Sequence, residues 1–98
     1  MTQSGSTHLS GIPVRVRDTV VARPLREEMV LLDLDSGIYY SLNSLGALIW
    51  SHLVRGATPA AIIAAITAEY DVQPEAAAAD LQAFVAELRA RNLVTESS

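Results

Sequence analysis

The chain has 98 residues, half of them hydrophobic and 18% charged, the profile of one folded domain with a modest core and no room for a second. It contains no cysteine and only two histidines, His8 and His52, which excludes disulfides, thiolate zinc sites and cysteine nucleophiles and leaves too few ligands for a metal centre. The net charge of −4 is unevenly spread: residues 1–26 hold four arginines against Asp18, and residues 27–98 hold three arginines against ten carboxylates. An acidic body of this kind argues against binding along a phosphate backbone.

Residues 1–12 are rich in Ser, Thr and Gly and read as a flexible N-terminal tail, with the domain proper over 13–98. The tail has neither the positive nor the apolar segment of a signal peptide. No apolar run approaches the ~20 residues of a membrane-spanning helix. The expectation is a cytoplasmic protein that engages neither membrane nor nucleic acid.

Residues 14–23 contain a short β-favouring run, Val20-Val21-Ala22-Arg23, ended by Pro24. A stronger strand spans 28–34, with Val30, Leu32 and Leu34 on one face and Met29, Leu31 and Asp33 on the other. Asp35-Ser36-Gly37 supplies turn chemistry, and Ile38-Tyr39-Tyr40-Ser41-Leu42 follows as a β-branched and aromatic strand. Two strands joined by a short Gly turn predict a hairpin. The remainder reads as three helices. Asn43 caps the first, with Leu45, Leu48, Ile49, Leu53 and Val54 at helical spacing and Gly56 after its end. Thr58-Pro59 opens the second, whose stripe is Ile62, Ile63, Ile66 and Tyr70. Pro74-Glu75 opens the third, which runs to about Arg91 with the stripe Ala77, Leu81, Phe84 or Val85, and Leu88, and ends in a left-handed cap at Asn92. The expected fold class is α+β: a small winged-helix-like domain with a three-stranded antiparallel sheet followed by three helices.

Little in this sequence suits catalysis. Asp33 and Asp35 could share a face, but Asp35 sits in a turn, where Asp commonly bonds its own backbone. Asn43-Ser44-Leu45-Gly46 lacks the strained elbow of a serine nucleophile, and neither histidine pairs with Ser44 by spacing. Gly37, Gly46 and Gly56 are too scattered for a phosphate loop, so no cofactor is expected, and Trp50 reads as a packing residue. The last two helices raise the question of DNA. A recognition helix needs Arg, Lys, Asn or Gln at its start, whereas this one begins Pro74-Glu75-Ala76-Ala77-Ala78-Ala79-Asp80. A winged-helix transcription regulator is therefore the second reading. The strand over 38–42 carries none of the Lys, Pro or charged residues that usually protect a sheet edge. It is either an ordinary core strand or a docking edge for another extended chain.

The run from Val30 to Asn43, then Gly46-Ala47-Leu48-Ile49-Trp50 and Leu53-Val54-Arg55-Gly56-Ala57-Thr58, resembles the PqqD-like family. Residues 80–88 and Asn92-Leu93-Val94 match that family's last helix and tail, so the resemblance spans roughly residues 14–95. It implies a stand-alone, non-catalytic recognition element that binds the leader of a ribosomally made precursor peptide, of the lasso-peptide type, by strand addition. The implied partners are that leader and a separate cysteine leader peptidase, with an ATP-dependent macrocyclase acting afterwards. The leader is expected antiparallel to Ile38, Tyr39, Tyr40, Ser41 and Leu42, above a groove flanked by Asp80, Ala83, Phe84 and Glu87 of the third helix.

Overall fold

The computed structural model describes residues 14–96; the expected tail over 1–12 lies outside them. Gly37 carries a φ of 74°, a conformation that costs glycine little. The turn before it reverses the chain between β3 (Glu28–Asp33) and β4 (Ile38–Leu42). β2 (Val20–Leu25) pairs with the other side of β3, giving an antiparallel sheet in the order β2-β3-β4. Ala22, Leu31 and Tyr40 lie in one cross-strand row, and Val21, Leu32 and Tyr39 in the next. The alternation predicted for β3 is present, and its Leu31 and Asp33 face is the buried one.

Three helices follow: α1 (Ser44–Val54), α2 (Pro59–Glu69) and α3 (Pro74–Ala90). The Asn43 side chain accepts the Gly46 N–H and Thr58 Oγ1 accepts the Ala61 N–H, so both predicted caps satisfy a first-turn donor. Asn92 adopts φ 59° after α3, as the left-handed cap requires. Ile49, Ile62, Ile66, Ala77, Leu81 and Val85 form the buried cluster among the helices. A second cluster, Leu31, Trp50, Leu88, Leu93 and Val94, joins helices to sheet. Trp50 is a core residue, as its reading by type suggests. Among the described residues, no helix is long and apolar enough to cross a membrane.

The fold departs from the sequence reading in four places. Residues 14–23 do not make one strand: β1 (Val14–Val16) and β2 are separate. Pro24 does not end β2, which continues to Leu25. β2 is an edge strand, and an edge tolerates a residue without an N–H. Beyond α3 a short β5 (Val94–Glu96) pairs antiparallel with β1, matching Val14 to Glu96 and Val16 to Val94. Val54, placed on the buried stripe of the first helix by spacing, is exposed in its last turn.

A buried carboxylate ties these pieces together. Asp33 is 4% exposed. Its oxygens accept from the Asp35 N–H at 3.1 Å, Ser36 Oγ at 3.2 Å and Thr19 Oγ1 at 3.5 Å. Arg17 Nη1 stands 3.7 Å from Asp33 Oδ2, and Arg17 Nη2 donates to Asp35 Oδ2 at 2.6 Å. The same arginine reaches the far end of the chain: Nη1 donates to the Asn92 carbonyl at 3.0 Å and its backbone N–H to the Leu93 carbonyl at 3.1 Å. Burying a charge is costly unless it is paired and hydrogen-bonded, and Asp33 meets both conditions. Asp33→Ala should cost about 2–3 kcal/mol, because it leaves a turn N–H and two hydroxyls without their acceptor and removes one of the two carboxylates beside Arg17. Asp33→Asn, which keeps one acceptor in place, should cost less. Urea unfolding of both variants checks the order.

Candidate functional site

β4 ends the sheet, and among the described residues nothing pairs with its outer edge. An unpaired edge presents a row of backbone donors and acceptors. Alternation points Tyr40 and Leu42 inward and leaves Tyr39 and Ser41 outward, with Tyr39 68% exposed. Beside this edge runs a groove of about 500 Å³, walled by β4 on one side and α3 on the other, with the first turn of α1 between them.

Every site residue expected on α3 lies in this groove. Asp80, Ala83, Phe84 and Glu87 all line it, opposite Tyr39, Tyr40, Ser41 and Leu42. Ile38 is half exposed on β4 but is not among the lining residues. The helical phase left open by the sequence resolves cleanly: Val85 is buried with the helix cluster, while Phe84 is half-buried and faces the groove. Phe84 also touches both core clusters, so it forms the floor where groove and core meet.

Residues not expected from sequence complete the site. Gly46 gives Phe84 its place: a Cβ there would lie 3.3 Å from Phe84 Cε1 and 3.3 Å from Leu42 Cβ. Ile49, Leu88 and Leu93 add apolar surface. At one end, the Arg91 guanidinium lies 4.9 Å from the centre of the Tyr40 ring and within cation–π range. Its Nε and Nη2 both donate to Glu87 Oε2, at 2.8 and 2.6 Å. The i, i+4 spacing of Glu87 and Arg91 was visible in the sequence; the stacking partner on another element was not. Asp80 stands toward the other end without an ion pair among the described residues.

The groove has an apolar floor with Asp80 toward one end and the Glu87–Arg91 pair toward the other, an arrangement suited to binding. Ser44 Oγ is engaged with the Tyr70 hydroxyl at 2.8 Å, and His52 Nδ1 with the Leu48 carbonyl at 2.9 Å. Neither is arranged as a nucleophile with its base. Asp33 and Asp35 are committed to the turn and Arg17. Among the described residues, no three His, Asp or Glu side chains converge as a metal site would need.

The geometry has close relatives. A solved structure of TbiB1 in complex with the TbiA(beta) leader peptide shares 36% identity with this chain, covers 86% of it and 98% of its own length, and superposes with a TM-score of 0.79. A structure of lasso peptide synthetase B1 complexed with the leader peptide shares 34% identity over 85% of this chain and 98% of its own, with a TM-score of 0.78. Comparison with curated protein sequences gives no match. The family model of coenzyme PQQ synthesis protein D (PqqD) matches residues 28–94, from the start of β3 to the first residue of β5, and the chain belongs to the PqqD family.

Proposed function

We propose that this protein binds the leader segment of a ribosomally made precursor peptide, of the lasso-peptide kind, as an added strand on β4. One observation carries the reading: the unpaired edge of β4 and the groove beside α3 form a single continuous feature, and the two similar structures hold leader peptides. Backbone hydrogen bonds along the edge would supply affinity and register, and alternate side chains would enter the groove and supply selectivity. Ile38, Tyr39, Tyr40, Ser41 and Leu42 form the docking strand. Asp80, Ala83, Phe84 and Glu87 form the helical wall. The protein performs no chemistry on the peptide; it presents the bound leader to a separate cysteine leader peptidase, with a macrocyclase acting later. A role in DNA binding finds no support, since the exposed start of α3 offers Glu75 and Asp80 where phosphates would need cations.

Three outcomes test the reading, with the TbiA(beta) leader peptide of the similar complex as ligand. Amide exchange across residues 38–42 should slow on adding leader; unchanged exchange there, with protection gained elsewhere, would reject strand addition.

Phe84→Ala should lower both stability and leader affinity. The half-buried ring should cost about 1.5–3 kcal/mol of folding energy, below the loss for a wholly buried phenylalanine. A variant with wild-type melting and wild-type affinity would remove Phe84 from the site.

Asp80→Asn should weaken leader binding at low salt by about two- to fivefold, the size of a rim ion pair, and by less at high salt. Glu87→Gln, whose carboxylate is already engaged by Arg91, should have the smaller effect. Isothermal titration at two ionic strengths measures both.

A further inference from the structure

Among the described residues, Arg91 is the only cation lining the groove. It sits at the C-cap of α3, where a positive charge is favoured by the helix dipole, and its side chain is 46% exposed. The nearest other arginine on the helix, Arg89, is engaged with Glu96 of β5 and takes no part in the groove. Glu87 occupies Arg91 through one carboxylate oxygen alone. A guanidinium has five N–H donors in a fixed plane, so Nη1 and the second N–H of Nη2 remain for another acceptor while the Tyr40 ring holds the plane in position.

The order of contacts also gives the groove a direction. Arg91 meets Tyr40 in the middle of β4. Phe84, two turns earlier on α3, meets Gly46 just beyond the end of β4. Asp80 lies one further turn back. β4 and α3 therefore run in opposite senses along the groove, and a peptide antiparallel to β4 runs in the same sense as α3. Its N-terminal part passes Asp80 and its C-terminal part passes Arg91.

We infer that Arg91 is a specificity determinant that reads a carboxylate side chain in the C-terminal part of the bound segment, so that the groove selects peptides with an acidic residue at that end. The inference rests on the groove being the leader site. The stack on Tyr40 fixes the guanidinium plane, and the free N–H groups of Nη1 and Nη2 can donate to the two oxygens of a carboxylate in the bidentate geometry that arginine favours. Glu87 serves as the resting partner. It keeps the cation oriented in the empty protein, and an exposed i, i+4 pair is weak enough to be shared when a better acceptor arrives. Asp80 at the opposite end repels the same acidic residue. A peptide threaded in the reverse sense would place its acidic residue beside Asp80 and be rejected, so the two charges also set polarity.

The test is a display library in which every position of the TbiA(beta) leader peptide is varied through all residues, selected on the wild-type protein and on Arg91→Gln, Arg91→Lys and Arg91→Glu. The wild type should prefer Glu or Asp over the matching amide at one position in the C-terminal part of the bound segment, by about three- to tenfold. Arg91→Gln should erase that preference. Arg91→Lys, which keeps charge but loses the planar fork, should retain a weaker one. Arg91→Glu should invert it toward Lys, a result that mere loss of packing on Tyr40 cannot produce. The same acidic preference in all four proteins, or none in the wild type, overturns the role of Arg91 while leaving the groove as the leader site. Failure of the wild type to enrich any library member overturns the leader reading and this inference with it.

Discussion

One corner of the groove depends on the carboxylate of Asp33 and the guanidinium of Arg17. Asp33 fixes the turn from which β4 departs, and Arg17 joins that turn to the carbonyls just after α3. The two walls of the groove, β4 and α3, are thus linked at one corner by a network of charged hydrogen bonds. Such bonds are shorter and more directional than apolar contacts, so they fix a distance where hydrophobic packing alone would leave latitude. The enclosed charge is tolerated because a turn N–H and two hydroxyls donate to it and the Arg17 guanidinium stands 3.7 Å away.

The opposite corner relies on close packing. Gly46 lets Phe84 approach the start of α1, and the ring in turn closes the seam between the two core clusters. Protein interiors transmit small displacements because they are packed nearly as densely as crystals, so the groove floor and the core are mechanically one object. The edge of β4 is the exception to this rigidity. It lacks the charges, prolines and covering loops by which sheets usually protect themselves, and it leaves Tyr39 largely in water. An edge in that condition can pair with any extended chain that reaches it. On the proposed reading, the flanking Asp80, Glu87 and Arg91 are what would discriminate among such chains.

Legibility from sequence follows the range of the interactions. The β3–turn–β4–α1 stretch could be read directly because each element announces itself locally: alternation in 28–34, Gly37 at the turn, Asn43 as a cap. The helix caps at Thr58 and Asn92 were equally plain. β1 and β5 were not, since each has three residues and its only partner lies about eighty positions away. Pro24 misled because proline is a strand breaker except at an edge, and edge status is a property of the assembled sheet. Phe84 and Val85 differ by one step around a helix, which periodicity resolves poorly and burial resolves at once. The resemblance to known recognition elements supplied the α3 wall of the site; Arg91 escaped because its stacking partner, Tyr40, is distant in the chain.

The β1–β5 ribbon determines how the domain bears load. Its register sets Val14 against Glu96 and Val16 against Val94, so the two ends of the described chain emerge side by side. Tension applied through both would peel the ribbon like a zipper, one residue pair at a time, instead of shearing all its hydrogen bonds together. The next bond in line is the Arg17 N–H to the Leu93 carbonyl, and only beyond it do the turn and α3 begin to feel the pull. Under such a pull the few residues of ribbon would separate before the elements that wall the groove.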